Sequence, residues 1–162
     1  MMKENATSFK NGLLDVVQVF EPYAQELIEE GGHVWHRFST RGDIAFTTFY
    51  ATRDFIDSNR SACRALINAM NKSLTKIHSS TAKEISDAIR PLYFPNLNSS
   101  SFENIITQYK EYKLWPKNTA LPASSFVRLK GSLLSGGLIE KDIPYHLIID
   151  QKLSQPGMNH DF

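Results

Sequence analysis

The chain has 162 residues, 41% of them hydrophobic and 22% charged, with a formal net charge of +1. That length accommodates one ordinary domain with a core, and the composition excludes a globally disordered chain. Near-neutral charge argues against a dominant nucleic-acid role, and one cysteine excludes an internal disulfide or an all-cysteine metal site.

The first twelve residues, Met1 to Gly12, are polar and read as a disordered segment. A secretory signal needs an apolar stretch of about 7–15 residues after a basic start. Polar residues fill that space here, so no export signal is visible. No apolar run approaches the roughly 20 residues of a membrane span.

Asp15-Val-Val-Gln-Val-Phe20 is short, β-branched and aromatic, and reads as a buried strand. Pro22 suits a first helical turn, and Tyr23–Glu30 follows as a helix stopped by Gly31-Gly32. Its acids Glu26, Glu29 and Glu30 lie toward the C-terminal end, where the helix dipole does not favour them. His33–Phe38 is a second strand candidate and Ile44–Thr52 a third, the latter strongly aromatic.

From Asn59 the period changes. Cys63, Leu66, Ile67, Met70, Leu74 and Ile77 mark one face of a long helix, with Asn59 as its N-cap. Thr81-Ala-Lys-Glu84 and Ser100-Ser-Phe-Glu103 match the capping box at the heads of two more helices. Ile85 and Ile89 face inward on one, and Phe102, Ile105, Ile106, Tyr109 and Tyr112 on the other. A fourth helix runs from Pro122 to Ser135, with Phe126, Leu129 and Leu133 inward and Gly136-Gly137 closing it. Residues 143–149 fit a short strand or a helical turn, and residues 151–162 a frayed tail. The expected class is therefore α/β and helix-rich: about three short strands in the first third, then four helices.

Few residues carry an evident chemistry. His33 and His36 on a strand would face opposite ways and bind no metal. Cys63 on an apolar helix face reads as packing. Gly31-Gly32 and Gly136-Gly137 lack phosphate-loop spacing. Glu21 is the most informative carboxylate: at a strand end before a helix, it either accepts hydrogen bonds from a ligand or serves the helix N-terminus. In the aromatic strand, Phe46, Thr48 and Tyr50 share one face, and could supply a ring and a hydroxyl to a ligand.

The ordered series resembles the ABC-transporter solute-binding proteins of the nitrate/sulfonate/taurine and thiamine-pyrimidine-precursor type. It starts with Leu14-Asp-Val-Val-Gln-Val-Phe-Glu-Pro22 and continues through Gly31-Gly-His-Val34, Ile44–Thr52, Arg53-Asp-Phe-Ile56 and Tyr93-Phe-Pro95. It closes with Tyr109 to Trp115, Leu138 to Tyr145 and Leu147-Ile-Ile-Asp150. The resemblance implies the C-terminal half of a two-lobed periplasmic binding protein that passes a small organic solute to membrane permease subunits. Residues 13–42 would belong to the second lobe and residues 43–150 to a hinge strand and the helical part of the first. Phe20, Glu21, Thr48 and Tyr50 would be ligand-binding residues, with no catalytic residue, cofactor or metal. Two alternatives stay open: a fragment of a pyrimidine-precursor-synthase-like enzyme, or a helical remnant or interaction module. In the last case, apolar faces without a cover would drive self-association.

Overall fold

The computed structural model describes residues 1–154. In chain order its helices are α1 (Met2–Lys10), α2 (Tyr23–Glu29), a 3₁₀ turn (Phe38–Arg41), α3 (Arg53–Ser58) and α4 (Arg60–Ser79). Then come α5 (Ala82–Tyr93), α6 (Ser99–Glu111), α7 (Ala123–Ser135), α8 (Tyr145–Ile148) and α9 (Gln151–Ser154). Among the described residues helix accounts for 59% and strand for none, which overturns the expected α/β class.

The three expected strands are where the difference lies. Residues 16–20, 32–37 and 42–52 take neither helical nor strand form, and no β-ladder exists among the described residues. Their composition is strand-like, but a strand is defined by a neighbour, and a single edge leaves its N–H and C=O groups unpaired. Helical periodicity is satisfied locally by i to i+4 bonds, so the helices form where the sequence places them. The N-terminal segment, expected to be disordered, also forms a helix, α1, with Ala6 buried. The tail is helical at Gln151–Ser154, with Leu153 buried, and the rest of the expected frayed tail lies outside the described residues.

The chain divides into two compact units. One comprises Met1–Thr40 with Ser79–Trp115, the other Arg41–His78 with Pro116 onward.

In the first unit, α5 and α6 form a helical hairpin, α2 packs on α6, and α1 on α2. Phe102, Ile105 and Ile106 of α6 and Ile85 of α5 supply its buried apolar side chains, with Leu27 of α2 and Ala6 of α1. Phe94 stacks obliquely on Phe102 at 5.0 Å between ring centres. The capping box at Thr81 is present as read: Thr81 Oγ1 accepts from the Glu84 N–H at 3.2 Å, and the Thr81 N–H donates to Glu84 Oε2 at 2.8 Å. The second box is displaced. Asn98, not Ser100, caps α6, its Oδ1 accepting from the Ser101 N–H at 2.7 Å. The helix starts at Ser99, so Ser100 already lies inside it and Asn98 holds the N-cap position.

Gly31 adopts φ +93°, and the Gly32 N–H then bonds back to Leu27 O at 2.8 Å, closing α2. The acids that sequence alone leaves unfavourably placed on α2 find donors. Lys10 pairs with Glu30 at 2.6 Å and reaches Glu26 at 3.9 Å.

In the second unit, the expected inner face of α4 is only partly covered: Cys63, Ile67, Met70, Leu74 and Ile77 are half-buried and Leu66 exposed. Asn59 does not cap α4; its side chain donates to Phe55 O at the end of α3. Asn71 of α4 exchanges two hydrogen bonds with Thr119, both at 3.0 Å. Phe126 of α7 meets Tyr145 of α8 edge-on at 5.5 Å, and the Tyr145 hydroxyl donates to Leu121 O. Residues 143–149 resolve to the helical alternative, α8.

Candidate functional site

Glu21 lies one residue before Pro22, the N-cap of α2, so its carboxylate can reach an unbonded first-turn amide of that helix. Its Oε2 accepts the Gln25 N–H at 2.9 Å. The N-cap position of α2 is held by Pro22, and Glu21 meets this one amide from the residue before it. Burial pushes its carboxyl above the ordinary carboxylate value, against the opposing pull of the Gln25 amide and the Arg37 charge.

Behind Glu21 lies a chain of polar side chains. The Gln25 carboxamide donates to Glu29 Oε1 at 2.9 Å and accepts from Gln108 Nε2 at 3.1 Å. Ser101 Oγ donates to the same Glu29 oxygen. Gln25 and Ser101 are buried, at 4% and 3% exposure. These donors, Gln25 first and Ser101 second, hold the Glu29 carboxyl below its ordinary value. Lys110 Nζ donates to Ser80 O at 2.8 Å, tying α6 to the head of α5.

Aromatic groups border this network. The Arg37 guanidinium lies 4.7 Å above the Tyr112 ring centre, within cation–π range. Tyr109 meets Trp115 edge-on at 5.3 Å. Burial, and then the Glu21 charge, pushes the Tyr109 phenol upward. Sequence reasoning assigned Tyr109 and Tyr112 to the apolar face of α6 and missed Gln25, Ser101 and Gln108. The signal was faint: three polar residues at core-facing positions of α2 and α6.

Of the four expected ligand residues, Phe20 and Glu21 lie in the first unit, and Thr48 and Tyr50 in the second. Phe20 is half-exposed, Thr48 exposed and Tyr50 96% exposed. A separate open groove of about 460 Å³ in the first unit is lined by Lys3, Lys10, Tyr23, Glu26, Tyr93 and Phe94 among others. Its central cation, Lys10, is committed to Glu30.

Among the described residues no group of three or more His, Cys, Asp or Glu side chains is placed to hold a metal ion. His36 lies edge-on to Phe38 at 5.2 Å. Cys63 is a free, half-buried thiol on α4. No described helix is long and apolar enough to cross a membrane.

The chemistry on display is that of a helical protein whose polar groups largely bond one another, with apolar side chains left at the surface. No family model matches the chain, and no solved structure does. It is 26% identical over 152 residues to a Bacillus subtilis (strain 168) protein, YtlA, whose name proposes a binding protein. That match takes in 93% of this chain and 45% of YtlA, so the chain spans less than half the length of this relative.

These findings correct the reading built on the resemblance. The solute-binding fold is an α/β architecture around sheets, and the described residues form none. Identity at this level to one relative does not restore it. The C-terminal half of an ABC-transporter binding protein, capturing a thiamine-pyrimidine precursor, sulfonate or taurine-like solute, is therefore set aside as the account of this chain.

Proposed function

We propose that this chain is a helical interaction module that acts by covering its exposed apolar segments with another polypeptide surface, without catalysis. One observation carries the reading. Large apolar side chains crowd the exposed non-helical segments: Trp35 at 84%, Phe46 at 72%, Phe49 at 71% and Tyr50 at 96%. Single exposed apolar residues are ordinary, whereas Phe46, Phe49 and Tyr50 fall within five consecutive positions. Aromatic side chains of this size supply most of the energy of protein interfaces.

The test is sedimentation velocity from micromolar to sub-millimolar protein, with Trp35 emission followed in a Trp115→Phe variant. The expected outcome is concentration-dependent association with a blue shift of Trp35. A monomer at every concentration, melting cooperatively and with water-exposed Trp35 throughout, rejects the reading.

A further inference from the structure

Three parts of the first unit meet at its open groove of about 460 Å³: α1, the head of α2, and residues 93–97 at the end of α5 and beyond it. Each part is fixed in place. The Phe94 N–H donates to Arg90 O at 2.8 Å, the Leu97 N–H to Phe94 O at 3.1 Å, and Arg90 Nη1 to Leu97 O at 3.0 Å. Phe94 also rests on Phe102 of the core. Lys10 ties α1 to the end of α2 through Glu30. The groove therefore stands preformed, and its volume lies in the range of ligand-binding clefts.

Its lining carries chemistry that the fold does not use. Among the described residues, none forms a hydrogen bond or ion pair with the Tyr23 or Tyr93 phenol, the Asn96 carboxamide or the Lys3 ammonium. A phenol, an amide nitrogen and an ammonium are all donors. They stand among the rings of Tyr23, Tyr93 and Phe94 and those of Pro22 and Pro95. The second lysine of the groove, Lys10, is spent on Glu30 and Glu26. Flat apolar faces, unspent donors and the unpaired charge of Lys3 thus share one cleft.

We infer that this groove binds an extended, proline-rich segment of a partner protein, and that Lys3 receives an acidic residue flanking the prolines. This surface is distinct from the exposed aromatic segments of the interaction module and takes its own partner.

The unspent donors select the occupant. A helix brings carbonyls already bonded to its own amides, which leaves the groove donors without acceptors. Proline has no N–H, so a run of prolines carries free carbonyl oxygens and no matching donors. Its backbone is held near the polyproline II form before binding, so little conformational freedom is lost. Proline-rich segments dock in aromatic-lined grooves of this kind. The donors of Tyr23, Tyr93 and Asn96 then meet carbonyls, and the rings meet pyrrolidine faces. Lys3 is exposed and its charge has no counter-charge in the fold, so an acid beside the prolines completes the match.

The experiment titrates the ¹⁵N-labelled full chain with synthetic peptides. Two carry a run of prolines with a pair of aspartates before or after it. A third has glycine and serine in place of the prolines, and a fourth is proline alone. Saturable shifts of the Phe94, Asn96 and Leu97 amides are expected with one of the acidic proline peptides, and none with the glycine-serine peptide. Tyr93→Ala should weaken binding about tenfold, and Tyr93→Phe about threefold through the lost donor. Lys3→Glu should weaken the acidic peptide about fivefold and leave the proline-only peptide unaffected. Tyr93 is 73% exposed and Lys3 exposed, so neither substitution disturbs the core, which circular dichroism checks. Equal binding of the glycine-serine peptide, indifference to Tyr93→Ala, or no shift at residues 94–97 overturns the proposal. Indifference to Lys3→Glu overturns the acidic flank. Shifts at residues 94–97 that grow with protein concentration alone make the groove a contact between copies and overturn the proposal too. The self-association of the aromatic segments is read separately by sedimentation, so either reading can fail without the other.

Discussion

The Gln108 carboxamide on α6 donates to Gln25 Oε1 on α2 at 3.1 Å, joining residues 83 positions apart. Gln25 passes the connection on to Glu29, which also receives the Ser101 hydroxyl. Deleting one member leaves buried donors without acceptors. Gln25→Ala should lower unfolding stability by about 1–3 kcal/mol. The midpoint of urea denaturation reads this. Replacing Gln108 with Leu in the same chain should recover part of the loss, because the orphaned Gln108 donor is then gone.

Glu21 gives a pH dependence of definite sign. Its folded carboxyl sits above the ordinary value, chiefly through burial. Between the ordinary and the raised value the folded state binds more proton than the unfolded state, so stability falls as pH rises through that window. Above it the cost of the buried charge is fully present. Glu21→Gln keeps an acceptor for the Gln25 amide and removes the charge. It should be more stable than the parent at neutral pH, with the advantage vanishing in acid, as measured by thermal melts at stepped pH.

Glu29 has the opposite sign. Hydrogen bonds from Gln25 and Ser101 hold its carboxyl below the ordinary value. Their stabilisation is present above that value and is lost as pH falls through the lowered one. Ser101→Ala removes the second of these donors. The acid limb of the stability profile should flatten in that variant, while the Glu21 limb is unchanged.

The capping box at Thr81 is a local test of α5. Its two reciprocal bonds satisfy amides that otherwise have no partner. Thr81→Ala should cost about 1 kcal/mol. Phe102→Ala, which empties the contact with Phe94, should cost about 3–5 kcal/mol. The ratio of the two, read from denaturant midpoints, separates cap from core.

How far the structure can be read from the sequence depends on the range of the interaction that decides each element. Thr81 and Glu84 lie three residues apart, and their box is present as read. The α6 face of Phe102, Ile105 and Ile106 is likewise buried as its period demands. The α6 cap is Asn98 rather than Ser100, because the helix begins one residue before Ser100. The three β-rich segments were read by composition, but composition cannot supply the neighbour that makes a strand. At the candidate site, the Glu21–Gln25 bond spans four residues and lies within the range that sequence reasoning reaches. The Gln25–Gln108 bond does not, since nothing local to either residue announces the other.

The modest core has a thermal consequence. Among the described residues few large side chains are fully removed from water, and at the lowest exposures the largest residue is Ser86. The heat capacity of unfolding follows the apolar area newly wetted. This chain should therefore unfold with a small heat-capacity increment and a shallow stability curve. The deficit should reappear as a negative heat-capacity change on association, when the aromatic run around Thr48 leaves water.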